Sequence, residues 1–182
     1  MLIGIIIAIA ALLLLGSTIF GWAGHRKRSL RTSFGPEYET VAQEHDTKQD
    51  VDRELLRRKR LYDRLSLHAI SLDDQEYYST AWEHLQAGFP DDPAQALSHA
   101  GQLVSQLIDA RGYPGEDPVE QLALLSVKHA DTLADYRRAQ RISQHARRTS
   151  APVPTEEIRQ ALLTYHTLFN ELIAVPGALA AR

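Results

Sequence analysis

The chain has 182 residues, enough for one domain with appendages, and it contains no cysteine. That composition excludes disulfide scaffolds, thiolate metal sites and thiol nucleophiles. The net charge of −3 is unevenly placed: residues 26–64 hold 11 basic and 8 acidic side chains, 65–135 hold 2 and 12, and 136–182 hold 7 and 3. An acidic middle between basic ends, with a negative total, argues against a nucleic-acid partner.

Residues 1–24, MLIGIIIAIAALLLLGSTIFGWAG, carry no charged side chain. The apolar run from Leu2 to Trp22 has the length a helix needs to cross a hydrocarbon core of about 30 Å, and Trp22 stands where an interfacial aromatic belongs. This predicts a transmembrane anchor over 1–24 and a basic juxtamembrane linker over 25–35. Arg26, Lys27, Arg28 and Arg31 are the expected membrane-surface contacts. They would face anionic lipid headgroups and keep the C-terminal domain on the cytoplasmic side of the membrane. The rival reading is a cleaved signal, since Gly21 and Ala23 form a small-x-small site. Against it, no cation precedes the apolar run, and several follow it directly.

Beyond the linker the pattern is all helical, with no sustained alternation of period two and no hairpin dipeptide. Residues 36–70 read as one long, charged, solvated helix opened by Pro36, with sparse apolar positions at Tyr38, Val41, Val51, Leu55, Tyr62 and Leu65. Residues 71–175 read as a helical bundle. Ser71 caps a helix with the stripe Tyr78, Trp82, Leu85 and Phe89. Asp92 and Pro93 open the next, with Leu97, Ala100, Val104, Leu107 and Ile108 as its stripe and Gly112 as its stop. Asp117 and Pro118 open a short helix through Val119, Leu122 and Leu125. A further helix over about 130–147 presents Leu133, Tyr136, Ala139 and Ile142. After a polar connector, Thr155 caps a last helix with Ile158, Leu162, Tyr165, Phe169 and Leu172. Pro176 and Gly177 end it, and 176–182 form a frayed tail.

Chemistry is sparse in this pattern. No two histidines have the HExxH spacing, and there is no GxSxG elbow, SxxK pair, phosphate loop or EF-hand. No catalytic, cofactor or metal residue is therefore assigned. Residues 112–142, GYPGEDPVEQLALLSVKHADTLADYRRAQRI, gather the most polar chemistry. Gly112, Pro114, Asp117 and Pro118 make this a structural corner: a stop, a break, a cap and a first helical residue. The competing reading makes His129 and Asp131 part of an active site.

Three segments carry a resemblance. RTSFGPEYETVAQEHD, then GYP with VEQLALLSVKHADTLADYRRAQRI, then TEEIRQALLTYHTLFNELI resemble a functionally uncharacterised bacterial family of short single-span membrane or secreted proteins. That family's pattern runs FGPEYD after a basic membrane exit, then GYP, then a DFEQRAADLSVDHP-like run and a helix containing tyrosine. The similarity covers most of 30–173. The chain departs from it at Pro118 and Val119, where the family has Asp and Phe, and at Lys128 and Ala130, where it has Asp and Pro. The resemblance implies architecture and no chemistry. The expected function is a membrane-anchored, non-enzymatic interaction module or scaffold whose partners are the bilayer and an unknown protein. The alternatives are a membrane-tethered hydrolase or metal-dependent enzyme, and a secreted helical protein.

Overall fold

The computed structural model describes residues 30–148 and 153–174. Among them are seven helices and no strand: α1 over 30–43, then α2 (Lys48–Tyr62), α3 (Leu72–Gly88), α4 (Pro93–Ala110), α5 (Pro118–Leu125), α6 (Ala130–Arg148) and α7 (Thr155–Ala174). None of these helices is long and apolar enough to cross a membrane. The proposed anchor over 1–24, the cations Arg26, Lys27 and Arg28, and the tail over 176–182 lie outside the described residues.

The main core belongs to α3, α4, α6 and α7. The last helix packs chiefly on α6 and α4, and α3 covers α4. Leu97, Leu107, Leu125, Leu133 and Leu168 are completely buried there. Aromatic side chains set the spacing. Trp82 stacks on His166 with ring centroids 4.8 Å apart and lies 4.9 Å from Phe169, while Tyr136 meets Tyr165 edge-on at 5.7 Å. Burial pushes the Tyr165 phenol up to about 12.

The caps are local. Ser71 Oγ accepts from Asp74 N at 3.0 Å, and Asp92 Oδ1 accepts from Gln95 N at 2.9 Å with Pro93 next in the chain. At α7 the first accepting carbonyl belongs to Pro154, bonded by Glu157 N and Ile158 N, so Thr155 is the first helical residue and not the cap. In α5 the buried face is Ala123, Leu124 and Leu125. Val119 is 76% exposed rather than part of the stripe, because it sits in the capped first turn.

The largest departure from the sequence reading lies between residues 25 and 70. No linker extends to 35: residues 30–35 are already helical, and Leu30 and Phe34 are buried. Leu30, Phe34, Tyr38 and Val41 are spaced as one helical stripe, continuous through Pro36. Nor is 36–70 one solvated helix. It breaks at residues 44–47, where Thr47 Oγ1 accepts from Asp50 N at 3.2 Å and starts α2. It ends at Tyr62, and an extended segment follows in which His68 N donates to Arg111 O at 2.9 Å. α1 and α2 close on each other through Leu30, Phe34, Val41, Val51 and Leu55, a satellite core that also takes in Val127 from the α5–α6 turn.

A buried carboxylate ties this hairpin to the bundle. Glu37 on α1 has no exposed side-chain surface. Its Oε1 accepts from Arg58 Nη1 at 2.9 Å and from Arg137 Nη2 at 2.8 Å, and its Oε2 from Arg137 Nη1 at 2.6 Å. Arg137 thus grips it as a two-pronged fork from α6. Arg58 also donates to Glu54 at 2.9 Å and reaches Ser126 Oγ at 3.4 Å. Gly35 admits α1 to α6. Its φ is +41°, and a Cβ there would stand 2.9 Å from Asp131 Oδ1.

Glu37→Gln should therefore destabilise the protein by about 3–5 kcal/mol in urea unfolding, because it leaves two guanidinium groups without their buried counter-charge. The exposed Arg31–Glu39 pair, also 2.8 Å long, should contribute less than about 1 kcal/mol when either partner becomes alanine. A pH signature accompanies the clamp. Arg57 first, with Arg58 beside it, holds the Glu54 carboxyl down to about 2 against an ordinary 4.5. Ionised Glu54 thus stabilises the fold above its unfolded pKa, and that contribution is lost as pH falls from about 4.5 towards 2. Glu54→Gln should flatten the acid limb of a stability-versus-pH curve over that interval.

Candidate functional site

The corner begins where α4 stops. Gly112 N donates to Asp109 O at 2.9 Å and Tyr113 N to Ile108 O at 3.3 Å, the paired bonds of a Schellman stop with glycine at the left-handed position. Gly112 has φ +90°, and a Cβ there would lie 3.0 Å from Ser66 O. Both the conformation and the space therefore require glycine. Pro114 follows, exposed, in the turn. Asp109 Oδ1 accepts from Gln121 Nε2 at 2.9 Å, joining the end of α4 to α5. Asp117 Oδ1 accepts from Val119 N at 2.8 Å, and Pro118 is the first residue of α5.

The second half of the corner is bonded across the fold. His129 is buried, and its Nδ1 lies 2.6 Å from Glu171 Oε2 on α7. That pair fits an Nδ1–H donor and a carboxylate acceptor. Thr132 Oγ1 donates to the other oxygen, Glu171 Oε1, at 2.5 Å. One carboxylate near the end of α7 thus secures the first turn of α6. Asp131, the other acid considered for catalysis, is exposed and turned towards Gly35. Of the expected membrane-surface cations, Arg31 is the one described. It is exposed, bonded to Glu39, and 5.0 Å from the centroid of the Tyr38 ring.

His129, Asp131, Thr132 and Glu171 border a cavity of about 450 Å³ between the ends of α2, α4 and α7 and the α5–α6 turn. Arg111 forms part of its wall and is 1% exposed. Its Nη1 has no hydrogen-bond partner, and no carboxylate among the described residues pairs with it. Burial presses its pKa below the usual arginine value. Tyr62 and Tyr113 stand beside it with ring centroids 6.4 Å apart, and burial raises both phenols. Lys128 Nζ lies 5.9 Å from the centroid of the Tyr62 ring. A larger groove of about 570 Å³ runs between α6 and α7, but its polar side chains are exposed, as at Asp135, Arg138, Glu156 and Gln160, or half-buried, as at Glu157 and Thr164. No group of three or more possible metal-ligating side chains occurs among the described residues.

Comparison with protein-family models, with curated proteins and with solved structures found no match.

Sequence reasoning missed Arg111 and Glu171. Arg111 lies four residues beyond Leu107 and continues the apolar stripe of α4, so a cation on a buried face was the available signal. Glu171 gave none, since its partners are about forty residues away. Glu171→Ala should cost about 1–3 kcal/mol in chemical unfolding, by leaving the buried His129 without its acceptor. Gly112→Val should cost about 1 kcal/mol or more. Equal stability of both variants and the parent would contradict this account of the corner.

Proposed function

We propose that the protein is a single-pass membrane protein of the bacterial inner membrane. Its helical domain stands in the cytoplasm, close to the bilayer, as a non-enzymatic interaction module. One observation carries the reading: the folded domain begins by Leu30. Only residues 23–29 separate Trp22 from that buried side chain, and fully extended they reach about 25 Å. An apolar run with the length of a span followed this closely by a clamped helix would hold the bundle against the headgroups. The cations at 26–28 would lie between the two. Anionic lipid would favour that placement by about 1 kcal/mol per cation. The resemblance to single-span bacterial proteins supports the same architecture. The polar residues of the corner support the non-enzymatic part, since Asp117, His129, Thr132 and Glu171 are occupied in bonds that hold helices together.

The full-length protein should stay in the membrane pellet through an alkaline carbonate wash. A cysteine introduced at the exposed Ser105 should resist membrane-impermeant thiol reagents in intact cells and react once the cells are opened. Release into the wash would remove the anchor from the account. Rapid external labelling would favour a secreted or inverted domain.

A further inference from the structure

From the Arg111 cavity we infer that this domain binds a small molecule through an oxyanion, a carboxylate or a phosphoryl group, seated on the Arg111 guanidinium. Three charged side chains among the described residues are buried on apolar helix stripes, Glu37, Arg58 and Arg111, and the first two pair with each other. Glu37 receives three charge-assisted hydrogen bonds from two arginines. Arg111 receives no counter-charge among the described residues, and its Nη1 is left without an acceptor. A buried cation in that state is costly unless it is paired.

The cavity beside Arg111 is of small-molecule size. Two acids line it, and neither is the missing partner: Glu171 is engaged by His129 and Thr132, and Asp131 is turned towards Gly35. Lys128 adds a second cation at the rim, and the phenols of Tyr62 and Tyr113, which bond to each other, leave one hydroxyl proton for a ligand. A planar guanidinium with donors on two edges matches the paired oxygens of a carboxylate or phosphate better than a halide or a neutral amide. The tyrosine rings give the rest of such a molecule an apolar wall. The inference is independent of the membrane anchor. The oxyanion could belong to a soluble metabolite or to a lipid headgroup, and the chemistry of recognition is the same.

The test uses the full-length protein in neutral detergent and in nanodiscs, with thermal unfolding as the readout. Inorganic phosphate and acetate are titrated against chloride at matched ionic strength, and phosphatidylglycerol nanodiscs are compared with phosphatidylcholine ones. At ten times its dissociation constant, a bound oxyanion should raise the midpoint by about 3 to 6 °C. Arg111→Met should leave the anion-free midpoint unchanged or higher, since it removes an unpaired buried charge, and should abolish the anion response. Lys128→Gln should weaken the response several-fold without changing the anion-free midpoint. A response to phosphate or acetate that needs Arg111 identifies a soluble ligand. A response confined to phosphatidylglycerol that needs Arg111 identifies a headgroup. No response to any probe, or one that survives Arg111→Met, overturns the inference. So does a large loss of stability in Arg111→Met, because it would mean that the chain itself completes the guanidinium.

Discussion

The buried carboxylate of Glu37 is the constraint on which this arrangement depends. It sits on α1, on the face that also carries Phe34 and Val41, and it cannot remain there as an ion without partners. Arg58 comes from α2 and Arg137 from α6, so pairing the charge sets three helices against one another. The satellite core of Leu30, Phe34, Val41, Val51 and Leu55 closes the hairpin on itself and reaches the bundle at Val127. The ion cluster gives it a definite place, with Arg58 Nε donating to Glu54 and Nη1 also reaching Ser126. Gly35 completes the fit by letting α1 come close to Asp131.

A second charge on an apolar stripe has the opposite status. Arg111 closes α4, lies in the core, and lines a cavity whose two acids, Asp131 and Glu171, do not pair with it. The same backbone segment carries a Schellman stop and receives the hydrogen bond from His68, so the guanidinium stands on a rigid base. Rigidity of this kind suits recognition, because little side-chain freedom remains to be lost when a partner arrives. The His129–Glu171–Thr132 set forms another wall of the cavity and fixes α6 to α7. Structural bonds and a binding wall are therefore built from the same corner.

What the sequence disclosed follows the range of the interactions involved. Caps and stops are local, and Ser71, Asp92, Gly112 and Asp117 can be read from residues within a few positions of each. The stripes of α3, α4, α6 and α7 repeat often enough to be unambiguous. The hairpin of α1 and α2 was obscured by two things. The Gly35–Pro36 pair looked like a boundary although the stripe from Leu30 to Val41 passes through it. The density of charge over 48–64 hid the capping signal of Thr47 and Asp50. Glu37 and Arg137 are a hundred residues apart, and no local pattern announces such a bond. The Arg111 cavity was hidden for a related reason: its walls come from four separate stretches of chain.

The central claim is that α1 is an integral part of the domain, locked by Glu37, and not a free arm leading to it. Amide hydrogen exchange on the full-length protein tests this most directly. The account predicts that residues 37–43 exchange slowly, with protection approaching that of α4 and α7, and that Glu37→Gln removes this protection while α4 and α7 stay protected, reduced only by the global loss of stability. Exchange of 37–43 near the unprotected rate in the parent protein, or protection that survives Glu37→Gln unchanged, would contradict it.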